Sequence, residues 1–125
     1  MSDEGRTYAI RLRRRAQQDM DAARERLAEL TSESHADAWH NGLLDMLATL
    51  ATYPHRHPLA DEDEFFQDVV RVFSYRLSPR GVAYRVFYSI IDSDEDAPYI
   101  YVMHVRHGAR RPMTRAEARE IDAEG

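Results

Sequence analysis

The side chains with the widest chemical reach in this chain are its guanidinium groups. All 17 basic residues are Arg, so every fixed cation is a planar fork that fits a carboxylate or a phosphate. A biased base composition would also give Arg without Lys, so the distribution is more informative than the type. Residues 1–70 hold 8 Arg against 14 acids, residues 71–119 hold 9 Arg against 5 acids, and residues 120–125 add 3 acids. The balances of −6, +4 and −3 recover the net charge of −5. The positive stretch is a footprint for phosphate or for an acidic partner.

Other chemistries fall away on inspection. His55-x-His57, with Asp61 and Glu62 nearby, offers imidazole and carboxylate donors, but no third ligand of fixed geometry accompanies them. A Pro-flanked, His-rich surface turn accounts for the pair, and no metal site is expected. Tyr84, Tyr88, Tyr99 and Tyr101 have faces on which bases stack, yet aromatic pairing between strands explains them without a ligand. With no cysteine, disulfides, thiolate nucleophiles and Cys-bound zinc are excluded. The 5 glycines form no phosphate loop, nucleophile elbow or dinucleotide fingerprint, and no cofactor is expected.

The elements that must carry these groups follow from periodicity. Tyr8-Ala9-Ile10-Arg11-Leu12 alternates with period two, as a half-buried strand does. From Arg14 to Leu30, Ala16, Met20, Ala23, Leu27 and Leu30 recur at three- and four-residue steps and make one helical stripe. Ser34 can cap a second helix with Trp39, Leu43, Met46, Leu47 and Leu50 on its apolar face, ending before Pro54. About four residues between them predict an antiparallel helical hairpin. Beyond it the helical period stops, and β-branched and aromatic residues dominate.

Val69 to Phe73, Ala83 to Asp92 and Tyr99 to about Arg106 read as three strands of an antiparallel meander. The acidic run Asp92 to Asp96 supplies a turn before Pro98. Strict alternation in the last strand would place Ile100, Val102, His104 and Arg106 on one face and Tyr101, Met103, Val105 and His107 on the other. Thr114-Arg115-Ala116-Glu117 has the form of a capping box opening a short, fraying helix. The expectation is an α+β fold in one domain over residues 1–125: an N-terminal strand, a helical hairpin and a three-stranded meander, with the helices on one face of the sheet. Residues 1–6 and 112–125 are expected as peripheral tails. No apolar run approaches the ~18 residues of a membrane span, so a cytoplasmic location without membrane contact is expected.

This order of elements resembles the RelE/ParE superfamily of plasmid-stabilising toxins. Ala16-x-x-Asp19, Pro54 after the second helix, Tyr84-Arg85-Val86-Phe87-Tyr88 and His104-Val105-Arg106-His107-Gly108-Ala109-Arg110 carry the likeness, over roughly residues 7–111. The resemblance implies the growth-inhibiting toxin of a bacterial type II toxin–antitoxin pair, held inactive by a cognate antitoxin. It leaves two targets open, DNA gyrase or the ribosome with its mRNA, and a catalytically inactive binding module of the same fold is the alternative.

On the nuclease branch the resemblance assigns Arg85 to the scissile phosphate, with Arg110 and Arg71 as further cations and His107, or less so His104, as the proton carrier. That enzyme would be a metal-independent mRNA endonuclease in which guanidinium forks stabilise the charge of the transition state. The tail from Gly108 to Gly125 has no aromatic residue, and the acidic loop Asp61-Glu62-Asp63-Glu64 opposes approach to rRNA. Arg71, Arg85, Arg106, Arg110 and Arg111 form the expected surface for antitoxin or nucleic acid.

Overall fold

A computed structural model describes residues 7–92 and 97–124. A strand β1 (Ala9–Leu12) leads into helices α1 (Arg14–Leu30) and α2 (Glu33–Thr49). Strands β2 (Arg71–Tyr75), β3 (Tyr84–Ile91) and β4 (Tyr99–His107) follow, and helix α3 (Arg115–Ala123) closes the order. The sheet runs β1-β4-β3-β2, antiparallel except that β1 lies parallel to β4. Of the acidic turn, residues 93–96 lie outside the described residues.

The helical hairpin packs on one sheet face, as its single apolar stripes require. Ala16 and Met20 of α1 and Trp39, Leu43 and Leu47 of α2 are buried against Phe73, Tyr84, Val86, Tyr88, Ile100, Val102 and Val105. The second helix starts two residues earlier than Ser34 suggests. Ser32 is the cap, accepting from the His35 N–H at 3.0 Å. Gly42 sits inside α2 where a helix former would be preferred. A Cβ there would stand 2.2 Å from the Tyr75 hydroxyl, which donates to the Trp39 carbonyl at 2.9 Å.

The tail is not peripheral. Met113, Ala118 and Ile121 are buried with Ala60, Phe66, Val70, Phe87 and Met103 in a second core. Phe87 alternates with Val86 and Tyr88 of the hairpin core, so α3 covers the opposite sheet face. The one-face expectation therefore holds for the hairpin and is corrected for α3. The capping box is present as read, with Thr114 and Glu117 bonding each other's backbone.

A β-bulge corrects the reading of β4. Phe87 pairs with His104 but Tyr88 pairs with Val102, leaving Met103 as an extra residue. One inserted residue reverses the alternation that follows. Arg106 consequently faces α3, whereas Val105 joins the hairpin core with Val102.

Candidate functional site

The bulge determines which cations meet. Arg85 and Arg106 are cross-strand partners and point to the α3 face. Arg85 is held by the Glu62 carboxylate in a two-armed contact, Nη1 at 3.0 Å and Nη2 at 2.9 Å. Glu62 comes from the loop before β2 and is buried. It also accepts from the Met113 N–H at 3.1 Å, so one carboxylate ties the meander to the chain entering α3. Burial alone pushes the Glu62 carboxyl up, but the Arg85 fork and the Met113 N–H outweigh this and hold it below its ordinary range. The acidic loop read as solvated repulsion thus spends one of its charges inside the protein.

Glu117, in the first turn of α3, is the second hub. It meets the Arg106 Nη1 at 3.2 Å and the Arg110 Nη2 at 3.5 Å, and it pairs with Arg111. Arg111, and then the cap and Arg106, draw its carboxyl down to about 2. Arg106 is fully enclosed, its Nε and Nη2 donating to the Arg111 carbonyl at 3.0 and 2.8 Å. Arg110 and Arg111 keep side chains 52% and 62% exposed. Four of the five expected cations therefore converge on two carboxylates, while the fifth stands apart. Arg71 pairs with Tyr88 on the hairpin face and donates to the His57 and His55 carbonyls at 2.6 and 3.2 Å.

The two candidate histidines separate as well. His107 lies with Val105 on the hairpin side, its ring 5.3 Å from Tyr84 and its Nδ1 accepting from the Ala109 N–H at 3.0 Å. His104 stacks on Phe87 at 5.7 Å, and its Nδ1 lies 2.6 Å from Asp19 of α1. Asp19 also accepts from the Val105 N–H at 3.0 Å. The reason is topological: β1 ends at Leu12 opposite Val102, so the outer side of β4 beyond that point lacks a strand and Asp19 takes the donor. Asp19 and His104 are thus a joint between α1 and the bulge.

Gly108 explains the shape of the His-Gly-Ala-Arg ending. Its N–H donates to the Ala83 carbonyl at 2.7 Å, and a Cβ would meet that oxygen at 2.6 Å. The glycine lets the end of β4 close against β3 and directs Arg110 and Arg111 toward α3. At the His55-x-His57 pair, His57 packs between Phe73 and Tyr88, and its Nε2 accepts from Arg56 at 3.2 Å. Burial, then Arg56 and Arg71, push its pKa down. Among the described residues no cluster of three candidate metal ligands exists, and no helix is long and apolar enough to cross a membrane.

Sequence reasoning missed the carboxylate side of this arrangement. Glu117 was visible as a helix cap and Glu62 as a loop charge, but their convergence on Arg85 and Arg106 depends on α3 crossing the far sheet face. No local pattern encodes that crossing. The model of the family described as ParE toxin of the type II toxin–antitoxin system parDE matches residues 10–112. No curated protein matches the sequence. The match runs from β1, through the hairpin and the meander, to the Arg110-Arg111 turn, and on it the chain belongs to the ParE toxin family of type II toxin–antitoxin systems.

Proposed function

We propose that this toxin arrests growth by binding its target without cutting RNA, and that the target is DNA gyrase. The observation that carries the reading is the Arg85–Glu62 fork. Both terminal nitrogens of Arg85 are committed to a buried carboxylate, and Arg106 is enclosed by Glu117 and the Arg111 carbonyl. A phosphodiester would have to displace charge-assisted bonds that are already formed, so neither Arg85 nor Arg106 is poised for the transition state. Arg71 and His107 on the opposite face add a second obstacle, because catalysis needs its groups around one reacting atom. The cations of the expected set that remain open to a partner are Arg110 and Arg111.

The test is primer extension on a translated message, run beside a gyrase supercoiling assay. Wild type, Arg85→Ala and the pair Arg110→Ala with Arg111→Ala are compared. The expected outcome is intact message and blocked supercoiling for the wild type, with the double variant weakened about tenfold or more and Arg85→Ala weakened only as far as it unfolds. Ribosome-dependent cuts that vanish in Arg85→Ala would overturn the reading in favour of the nuclease branch. A wild type that touches neither readout would leave a binding module that kept the fold.

A further inference from the structure

At the turn end of the hairpin, α1 and α2 overhang the β2–β3 connection and enclose a cavity of about 380 Å³. Its walls are Leu27, Leu30, Trp39, Leu77, Val82 and Tyr84. Two of these are left in water, Leu30 at 69% exposure and Val82 at 47%. The stripe of α1 thus runs past the core it helps to build. Trp39 is buried edge-on to Tyr84 at 5.0 Å, and its indole N–H finds no acceptor among the described residues. Among the lining residues Arg80 is the one formal charge, with His35 across the mouth. Arg80 is exposed and, among the described residues, makes no hydrogen bond or ion pair.

We propose that this cavity is the anchor site of the antitoxin, taking one bulky apolar side chain from an amphipathic segment whose neighbouring carboxylates meet Arg80 and His35. The inference rests on the chain working within a toxin–antitoxin pair. The family supplies a protein partner. The Arg85 and Arg106 surface is closed by the toxin's own carboxylates, whereas this cavity joins apolar walls to an unpaired cation. Interfaces draw their affinity from such enclosed apolar pockets with a charged rim. Charge selects an acidic partner over a second copy of the chain. A two-fold contact would set Arg80 near its own image, whereas a carboxylate-bearing segment would pair it.

The probe is the cognate antitoxin, titrated calorimetrically into wild type, Val82→Glu, Leu30→Glu, Arg80→Glu and Leu44→Glu. Leu44 is an exposed leucine that does not line the cavity. The expected result is a loss of at least ~30-fold for Val82→Glu and Leu30→Glu, a smaller, salt-dependent loss for Arg80→Glu and none for Leu44→Glu. Leu30→Ala replaces the Glu variants if circular dichroism shows either to be misfolded. In cells, Val82→Glu should stay toxic in the presence of the antitoxin. Wild-type affinity in both cavity variants overturns the inference while leaving the toxin reading intact. A wild type that binds the antitoxin but blocks no gyrase overturns the proposed target and leaves the anchor standing. A wild-type dimer by light scattering that Val82→Glu splits, with antitoxin affinity unchanged, assigns the cavity to a second copy and overturns the inference.

Discussion

At the scale of the residue, the Arg85–Glu62 pair separates a structural reading from a catalytic one by energy. A buried ion pair adds little net stability, but removing one partner leaves a charge without water or counterion. Arg85→Ala strands Glu62, which is 2% exposed, and should cost about 3 kcal/mol in urea unfolding. Replacing both members, Arg85→Met with Glu62→Leu, should recover most of that loss. A cost under about 0.5 kcal/mol for Arg85→Ala would show that the pair is not the joint described here. Protonation acts on the same hubs. The Glu62 and Glu117 carboxyls are both lowered by folding. Their contribution is therefore complete above the ordinary carboxylate range and, for Glu117, is lost as pH falls from about 4.5 toward about 2. The sequence grouped Arg71, Arg85, Arg106, Arg110 and Arg111 as one cationic surface, and the fold sets the last four against Glu62 and Glu117. It gave no sign that Arg71 stands on the other face, because strand periodicity tells which neighbours share a face only while the strand is regular.

At the scale of the element, the bulge and α3 are where local pattern stopped being sufficient. The hairpin was legible because each helix buries one clean stripe, and the meander because β-branched and aromatic runs replace the helical period; the observed strands shifted by only a residue or two from those runs. Met103 looked like an ordinary alternating position. Its looping out is a property of the Phe87–His104 pairing and of Asp19 holding the Val105 N–H, neither of which is local. The short tail helix read as fraying because its nine residues are too few to hold as an isolated helix. Docking supplies what propensity lacks. Arg13 donates to the Ile121 carbonyl at 2.8 Å, and Ile121 is buried against Phe87 and Met103. Ile121→Ala should therefore cost about 3 kcal/mol, the size of a core truncation and not of a surface change. A chain cut after Ala109 should lose cooperative unfolding altogether, since it removes Met113, Ala118 and Ile121 from the second core and uncovers the rest. If truncation left the melting curve intact, α3 would be the loose appendage that its sequence suggests.

At the scale of the whole molecule, the formal map of charge and the exposed map differ, and the difference is measurable. Residues 71–119 carry a balance of +4, which by itself would present a cationic surface to phosphate. The fold brings Glu62 from the acidic half and Glu117 from the tail onto that stretch, so Arg85 and Arg106 are neutralised before any partner arrives. What remains in water is a molecule of net charge −5 whose exposed cations at this site, Arg110 and Arg111, share one carboxylate. Binding to a polyanion depends on the number of phosphates or sulfates that free cations can neutralise, and its salt sensitivity scales with that number. The wild type should therefore leave a heparin column at roughly 0.2 M salt or below. Glu117→Gln releases Arg110 and Arg111 together while keeping the side chain's shape, and it should elute measurably later with Ile121 still buried. A wild type retained beyond roughly 0.5 M salt would mean that the arginines are open to phosphate in solution. The internal pairing would then be a closed state that nucleic acid can displace, and the nuclease branch would regain its footing.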